Sequence, residues 1–191
     1  MTATHRSEFI LGGARSGKSR YALARARRSP GPTAFLATAQ ALDAGMKTRI
    51  ARHQAERPGG WTTVEEPLDI VPACRRLAAR HDLVIIDCLT LWVSNRLERG
   101  DGDESILAGA DELSKFMSER AISLILVSNE VGAGVHPPTE VGLRFRELLG
   151  LVNQRVAAAA DRVILMVAGI PLSIKDASPV PGSHDRAVEA P

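Results

Sequence analysis

Residues 12–19 read, in order, Gly12, Gly13, Ala14, Arg15, Ser16, Gly17, Lys18 and Ser19. The stretch matches the spacing G-x-x-x-x-G-K-[ST], and it lies between an apolar run, Phe9–Leu11, and a helix-like segment that begins near Ser19. A strand, a glycine-rich loop and a helix in this order form the context in which the spacing binds phosphate. The sequence therefore predicts a P-loop; the alternative is a glycine-rich turn with a chance Lys-Ser pair.

Each residue type in this stretch has a phosphate-binding use. Glycines let the backbone wrap an anion without Cβ clashes, and the amides of the loop and of the following helix N-terminus point at phosphate oxygens. Lys18 adds a positive charge, and Ser19 can ligate Mg²⁺. We therefore predict that residues 12–19 bind a nucleotide, with Lys18 catalytic, Ser19 a metal ligand, and the Lys18 side chain exposed in the empty loop.

The 191-residue chain has the size and composition of one globular domain. Hydrophobic residues make up 45% of it and charged residues 24%, which is ordinary for a folded protein. The formal net charge is +2 with both signs interspersed, so we expect no nucleic-acid partner. Neither a secretory signal nor a membrane-length apolar run is visible, and Cys74 and Cys88 have no disulfide-framework or metal-site spacing. The sequence thus favours a cytoplasmic protein with no membrane span.

Strand-like and helix-like segments alternate along the chain. The predicted strands are 9–11, 33–38, 61–65, 81–87, 121–128 and 161–168, with a candidate edge strand at 172–175. The predicted helices are 19–28, 43–57, 68–80, 89–97, 104–119 and a long one after residue 139. This alternation predicts a single α/β domain of the P-loop NTPase type over residues 8–175, with a mostly parallel central sheet and helices on both faces. Segments 1–7 and 176–191 are expected to be mobile tails.

The last predicted helix carries a cap and an apolar stripe. Thr139 is a favoured N-cap residue. Apolar side chains then recur at helical spacing, and we expect all of them in the core: Val141, Phe145, Leu148, Val152 and Val156.

Asp87 is the second chemical landmark, because it ends the continuously apolar segment Leu83–Ile86, which is typical of a strand buried on both faces. A carboxylate in this place of a P-loop protein can hold Mg²⁺ beside Ser19, directly or through water, so we interpret Asp87 as the Walker B acid. The alternative is a helix-capping Asp. Neither D-x-x-G after Asp87 nor N-K-x-D after the later strand is present, which argues against a Ras-like switch and favours small-molecule phosphoryl transfer.

A third feature is a stripe of Arg49, His53 and Arg57, four residues apart on one predicted helix face. Neighbouring arginines disfavour imidazolium, so His53 would stay neutral and nucleophilic while the arginines attract phosphate oxygens. The alternative is a solvated arginine-rich face with a stray histidine. Spacing alone does not decide between them.

Taken together with the P-loop, several short stretches come in a familiar order. They are Ala37-Thr38-Ala39, Arg49-Ile50, His53, Arg57-Pro58, Trp61, Thr63, Glu65, Pro67, residues 128–134 (S-N-E-V-G-A-G) and residues 152–155 (V-N-Q-R). On these residues the chain resembles the bifunctional adenosylcobinamide kinase/adenosylcobinamide-phosphate guanylyltransferase family of cobalamin biosynthesis, from Phe9 to about Lys175.

The resemblance implies two reactions: phosphorylation of adenosylcobinamide with ATP or GTP, then GMP transfer from GTP to that phosphate through a guanylylated histidine, here His53. It implies GTP, ATP, adenosylcobinamide and its phosphate as partners, Mg²⁺ as cofactor, and a homotrimer. It also assigns nucleotide contacts outside the P-loop, at Ala37, Thr38, Ala39, Gln54, Ala55, Glu56, Arg57, Glu65 and Asp87.

Two other functions remain open at this level. One is a small-molecule kinase without nucleotidyl transfer, and the other is a nucleotide-dependent interaction module whose stripe of Arg49, His53 and Arg57 meets an acidic partner. Asn129, Glu130 and the loop 132–136 follow a predicted strand and either gate or line a corrinoid pocket or form a plain surface loop. His136 is given no role.

Overall fold

The structure is a computed structural model that describes residues 5–40, 54 and 57–176. Its strands are β1 (Ser7–Gly12), β2 (Thr33–Ala37), β3 (Thr62–Glu65), β4 (Leu83–Asp87), β5 (Ser123–Val127), β6 (Arg162–Val167) and β7 (Ile170–Asp176). Its helices are α1 (Lys18–Ala26), α2 (Ile70–Ala78), α3 (Leu89–Glu98), α4 (Asp103–Glu119) and α5 (Glu140–Ala159).

The strands form one sheet in the order β3-β2-β4-β5-β1-β6-β7. Every neighbouring pair is parallel except β6 and β7, which are antiparallel. Parallel strands buried on both faces need apolar side chains on both sides. The run Leu83–Ile86 meets this condition, since all four residues are buried. The predicted parallel sheet is confirmed, and the predicted edge strand is antiparallel and longer than 172–175.

Helices cover both faces of the sheet. Alternate residues of β1 point to opposite faces, so Phe9 packs in a core with α2, α3, α4 and α5, whereas Ile10 packs in a smaller core with α1. The predicted two-sided α/β domain is confirmed. Ligands of such sheets bind at the carboxyl ends of the strands. We therefore look for the site among the loops that follow β1, β2, β3 and β4, and this side of the sheet is called the site edge.

Two details differ from the sequence-based expectations. Ser7 is buried in β1 and Asp176 is the last residue of β7, so the folded strands extend one residue past each predicted domain bound. Val141 is 73% exposed, so its place in the predicted core stripe is wrong, whereas Leu148, Val152 and Val156 are buried. Val141 lies in the first turn of α5, ahead of the part of the helix that packs on the core.

The predicted N-cap at Thr139 is confirmed, because its Oγ1 accepts a hydrogen bond from the Gly142 amide at 3.1 Å. The predicted helix 43–57 lies outside the described residues, apart from Gln54 and Arg57. None of the helices in the described ranges is both long and apolar enough to cross a membrane.

Candidate functional site

The loop between β1 and α1 has a backbone that only glycine permits at two points. Gly12 has φ +149°, and a Cβ there would lie 2.5 Å from the Met166 carbonyl oxygen. Gly17 has φ +97° and directly precedes α1. The Gly169 amide donates to the Ser16 carbonyl at 2.9 Å, so the β6–β7 turn supports the loop from outside. Gly12 and Gly17 are therefore required by the fold, independently of the phosphate binding predicted for this loop.

Lys18 is not exposed, which corrects the prediction for the empty loop. Its Nζ donates to the carbonyl oxygens of Gly12 at 2.8 Å and Gly13 at 2.7 Å, and the residue is only 8% exposed. An ammonium group has three donors and is costly to bury without acceptors, so it folds back onto the loop carbonyls. The amine is thereby held within the loop that it is predicted to serve.

Two carboxylates flank the end of β2. The register places Ala37 opposite Asp87 of β4 on one side and opposite Glu65 of β3 on the other. One strand, β5, separates β4 from β1, which corresponds to about 10 Å between strand axes. The predicted Walker B acid Asp87, the predicted nucleotide contact Glu65 and the P-loop thus lie at one edge of the sheet.

Arg57 reaches the same edge. Its guanidinium lies over the Phe35 ring, 3.7 Å from the centroid, and Nη1 donates to Thr63 Oγ1 at 3.2 Å. Burial lowers the pKa of Arg57, and the negative charges of Asp87 and Glu65 oppose that shift. Nε of Arg57 is buried and has no hydrogen-bond partner in the described part of the chain. The side chain is therefore a half-buried cation near two carboxylates, and one of its donors is unused by the described residues.

Thr38, a predicted nucleotide contact, has its polar groups bonded to other parts of the protein. It is fully buried, and its Oγ1 both donates to the Cys88 carbonyl and accepts from the Cys88 amide, each at 2.8 Å. Its amide donates to the Asp87 carbonyl at 3.1 Å, and its own carbonyl accepts from Asn95 Nδ2 at 2.8 Å. All the polar groups of Thr38 are thus engaged within the protein. Its neighbours Ala37 and Ala39 are buried and half-buried.

Sequence reasoning missed Asn95. This residue of α3 is 7% exposed, and its Nδ2 donates to the Pro67 carbonyl at 3.1 Å as well as to Thr38. The signal that points to it is a polar residue three positions after Trp92, on the core-facing side of α3. Buried polar side chains of this kind need specific partners.

The loop after β5 is tied to the P-loop and to two helices. The Glu130 amide donates to the Gly12 carbonyl at 3.1 Å, and the Asn129 amide donates to Thr90 Oγ1 at 2.7 Å. Asn153 of α5 donates from Nδ2 to the Asn129 carbonyl at 3.0 Å. Further along this loop His136 is exposed. A role of Asn129, Glu130 and the loop 132–136 in binding a corrinoid stays a prediction.

Of the predicted stripe of Arg49, His53 and Arg57, the structure describes Arg57. Arg49, His53, Ala55 and Glu56 lie outside the described residues, and Gln54 is exposed. The nucleophile assignment of His53 therefore stays a prediction.

The thiol nearest the site is a poor alternative nucleophile. Burial raises the pKa of Cys88 to about 11, and the negative charge of Asp87 adds to the increase. A thiol with this pKa is almost wholly protonated at neutral pH, and the thiolate is the reactive form. Cys88 is therefore unsuited to attack phosphorus.

The donor set at this edge suits a magnesium ion held together with a nucleotide. Ser19 lies half-buried in the first turn of α1, and Asp87 is half-buried at the end of β4. A hydroxyl and a carboxylate are hard oxygen ligands, and Mg²⁺ is typically bound by one or two such groups, waters and substrate phosphates. No cluster of three or more His, Cys, Asp or Glu side chains in the described ranges forms a metal cage. The residues therefore fit a shared protein–nucleotide site better than a cage made by protein alone.

Comparisons with known proteins agree in sequence and in fold. A family model described as cobinamide kinase / cobinamide phosphate guanyltransferase matches residues 8–174. The chain is 41% identical over 173 residues to the bifunctional adenosylcobalamin biosynthesis protein CobP of Pseudomonas aeruginosa, covering 88% of this chain and 96% of the relative. It is 36% identical over 183 residues to the bifunctional protein CobU of Salmonella typhimurium, covering 87% and 98%.

One solved structure shows the fold alone. An ATPase from the type III secretion system of pathogenic bacteria superposes with a TM-score of 0.55 at 14% identity, covering 88% of this chain and 56% of that chain.

Proposed function

The chain belongs to the cobinamide kinase / cobinamide phosphate guanyltransferase family, and from this premise we propose that it catalyses both reactions on adenosylcobinamide. The first transfers a phosphoryl group from ATP or GTP to adenosylcobinamide. The second transfers GMP from GTP to the resulting phosphate and yields adenosylcobinamide-GDP for cobalamin nucleotide-loop assembly. The observation that carries the proposal is the shared sheet edge of the P-loop, Asp87, Glu65 and Arg57.

For phosphoryl transfer, the chain supplies positioning and charge. The loop 12–19 would hold the nucleotide phosphates by its backbone amides, and Lys18 would exchange its loop carbonyls for phosphate oxygens. Ser19 and Asp87 would hold Mg²⁺, which when bound neutralises charge on the terminal phosphates. Most of the required groups are thus positioned by β1, β4 and α1.

For guanylyl transfer, the proposed nucleophile is a ring nitrogen of His53. It would attack the α-phosphorus of GTP, so that a nitrogen–phosphorus bond forms and pyrophosphate leaves. An oxygen of adenosylcobinamide phosphate would then attack the same phosphorus and release the histidine. Arg57 is a half-buried cation whose Nε has no hydrogen-bond partner among the described residues, and it is suited to hold phosphate oxygens during both displacements.

The simple kinase and the interaction module differ from this proposal because neither forms a covalent bond between the nucleotide and the protein. A simple kinase needs no covalent nucleotide intermediate, and an interaction module needs no turnover stimulated by the corrinoid. A covalent-labelling experiment therefore separates the three.

We expect protein incubated with Mg²⁺ and GTP labelled at the α-phosphate to retain label that is lost in acid and survives base, the behaviour of a phosphoramidate. GTP labelled at the γ-phosphate should leave none. His53→Ala should abolish the label and GMP transfer, because it removes the ring nitrogen that would form the bond to phosphorus.

A suitable control is His5→Ala. His5 forms a hydrogen bond with Ser123, the first residue of β5, at the amino ends of the parallel strands and away from the proposed site, so this variant should be labelled like wild type. Wild-type labelling of His53→Ala would show that another residue is the nucleophile, and an unlabelled wild-type protein with normal kinase activity would support the simple kinase.

The proposal includes a homotrimer and a cytoplasmic location. A contact surface is offered by β7, one of the two outer strands of the sheet in the described part of the chain, where Ile170 and Leu172 are 69% and 55% exposed. Such an edge is open to pairing with a second chain, and a second copy is the partner that the family resemblance implies. Both cysteines, Cys74 and Cys88, are free thiols, as expected in a reducing compartment.

A further inference from the structure

The ends of β2 and β4 are joined by a reciprocal pair of hydrogen bonds. Thr38 Oγ1 donates to the Cys88 carbonyl and accepts from the Cys88 amide, both at 2.8 Å. Cys88 directly follows Asp87, and the Thr38 amide also donates to the Asp87 carbonyl. Three hydrogen bonds from Thr38 therefore hold the backbone at Asp87.

A second group ties this pair to β3. The buried Asn95 amide donates to the carbonyls of Thr38 at 2.8 Å and Pro67 at 3.1 Å. Pro67 lies two residues after Glu65, and the intervening Glu66 amide donates to the Ala37 carbonyl at 2.9 Å. One side chain of α3 thus holds the segment after β3 against the segment after β2.

The neighbouring turn of α3 adds to the same anchorage. Trp92, one helical turn before Asn95 and 1% exposed, donates from Nε1 to the Leu68 carbonyl at 2.8 Å. The helix that begins just after Asp87 therefore contacts the end of β2 and the segment beyond β3 through buried polar groups. The bond from Asn95 to Thr38 is buried, and the bonds to the Pro67 and Leu68 carbonyls are partly buried. Losing them would leave these carbonyls without their donors and would let the strand ends shift.

We propose that Thr38 and Asn95 are positioning residues, which set Asp87 and Glu65 at a fixed separation before nucleotide binds, and that neither side chain contacts the nucleotide. Two carboxylates and the Arg57 guanidinium share this edge, and Asp87 and Glu65 both interact with that cation. A shift of one strand end would therefore change the charge pattern that the nucleotide and its metal meet. The inference rests on the proposed role of Asp87.

The test measures binding of a fluorescent N-methylanthraniloyl-GTP, with Mg²⁺ and with EDTA, together with the thermal unfolding midpoint. Thr38→Val removes the hydroxyl at nearly constant shape, and Asn95→Leu removes the amide. Each is expected to weaken binding in Mg²⁺ about tenfold, the scale of one lost buried hydrogen bond, and to weaken binding in EDTA by less, because no metal then contacts Asp87. Thr38→Ser keeps the hydroxyl and should restore wild-type affinity.

Ser7→Ala is the matched control. Ser7 is a buried hydroxyl with the same reciprocal pattern at the opposite edge of the sheet, donating to Asp161 Oδ2 at 3.0 Å and accepting from the Asp161 amide at 3.1 Å. Its loss should lower the unfolding midpoint and leave both affinities unchanged. If Thr38→Val and Asn95→Leu behave like Ser7→Ala, their role is purely structural and the inference is wrong.

Asp87→Asn separates this inference from the proposed function. If Asp87→Asn leaves the Mg²⁺ dependence unchanged, the metal role of Asp87 fails. If Asp87→Asn removes the dependence and Thr38→Val does not, the positioning role alone fails.

If Thr38→Val does not fold, hydrogen exchange of the nucleotide-free wild-type protein tests the inference instead. The Cys88 amide should be as well protected as the amides of β4, because Thr38 holds it before any ligand arrives. Exchange of Cys88 at the rate of an open loop would overturn the inference.

Discussion

The Lys18 side chain is held inside the loop in which it is predicted to bind phosphate. Its ammonium is held by the carbonyls of Gly12 and Gly13, so a phosphate must compete with two good acceptors. The competition is favourable because an anionic oxygen accepts a stronger hydrogen bond than a neutral carbonyl. If the loop binds a nucleotide as proposed, we expect Lys18 to exchange these carbonyls for phosphate oxygens.

We expect Lys18→Ala to lower the rate of phosphoryl transfer to adenosylcobinamide by roughly 100-fold or more, the effect of removing one preorganised charge-stabilising donor. It should also lower the unfolding midpoint slightly, because two loop carbonyls lose a partner. The measurement is transfer from γ-labelled GTP, with circular dichroism as the check on folding.

Lys115→Ala, which removes an exposed lysine of α4, provides the comparison and should leave the rate unchanged. A near wild-type rate in Lys18→Ala would mean that the P-loop is not the catalytic phosphate site.

At the scale of elements, β7 stands apart from the other six strands. It is the only antiparallel member of the described sheet, and most of its residues are exposed. Lys175 of β7 donates to the carbonyls of Ala157 and Ala158 at 3.0 and 2.7 Å, which anchors the strand to the C-terminus of α5. The strand is thus well fixed on one side and open on the other.

An oligomer that assembles through β7 should dissociate when that strand becomes charged. We expect the double variant Ile170→Glu and Leu172→Glu to be monomeric by size-exclusion chromatography with light scattering, under conditions in which the wild type is trimeric. Val135→Glu, a change at a 95% exposed loop residue, should keep the wild-type mass. A trimer that survives the double variant would place the interface elsewhere.

At the scale of the whole molecule, stability should fall in acid partly because of Asp101, which follows α3. Its carboxylate accepts hydrogen bonds from Arg99 and Arg96, and these hold the pKa of Asp101 down at about 2. A folded pKa below the unfolded value means that the ionised group stabilises the fold above about pH 4 and loses this contribution as the pH falls toward 2.

Asp101→Asn should therefore be less stable than wild type at pH 7, and the difference should shrink between pH 4 and pH 2. Urea unfolding at a series of pH values measures it. Asp103→Asn is the control, since Asp103 forms an exposed pair with Arg144, and such pairs contribute little. An Asp101→Asn difference that stays constant down to pH 2 would contradict the assignment.

The sequence by itself determined the features that depend on short-range patterns. The P-loop spacing, the alternation of strands and helices, the Thr139 cap and the strand end at Asp87 all follow from local backbone preferences and apolar periodicity, which neighbouring residues set. The resemblance to the family supplied the expected substrates and the candidate nucleophile, His53. His53 lies outside the described residues. The fold class and the composition of the site edge were therefore predictable.

Only the tertiary structure decided which of these residues meet, and with which atoms. The burial of Lys18, the packing of Arg57 on Phe35, and the engagement of every polar group of Thr38 depend on strands and helices that are distant in the chain. Likewise Asn95 is one of several polar residues in the sequence of α3, and only the packing of that helix beside the ends of β2 and β3 gives it its partners. Burial forces each polar group to find a partner, and which partner is within reach is fixed by packing across the sheet rather than by neighbours in sequence.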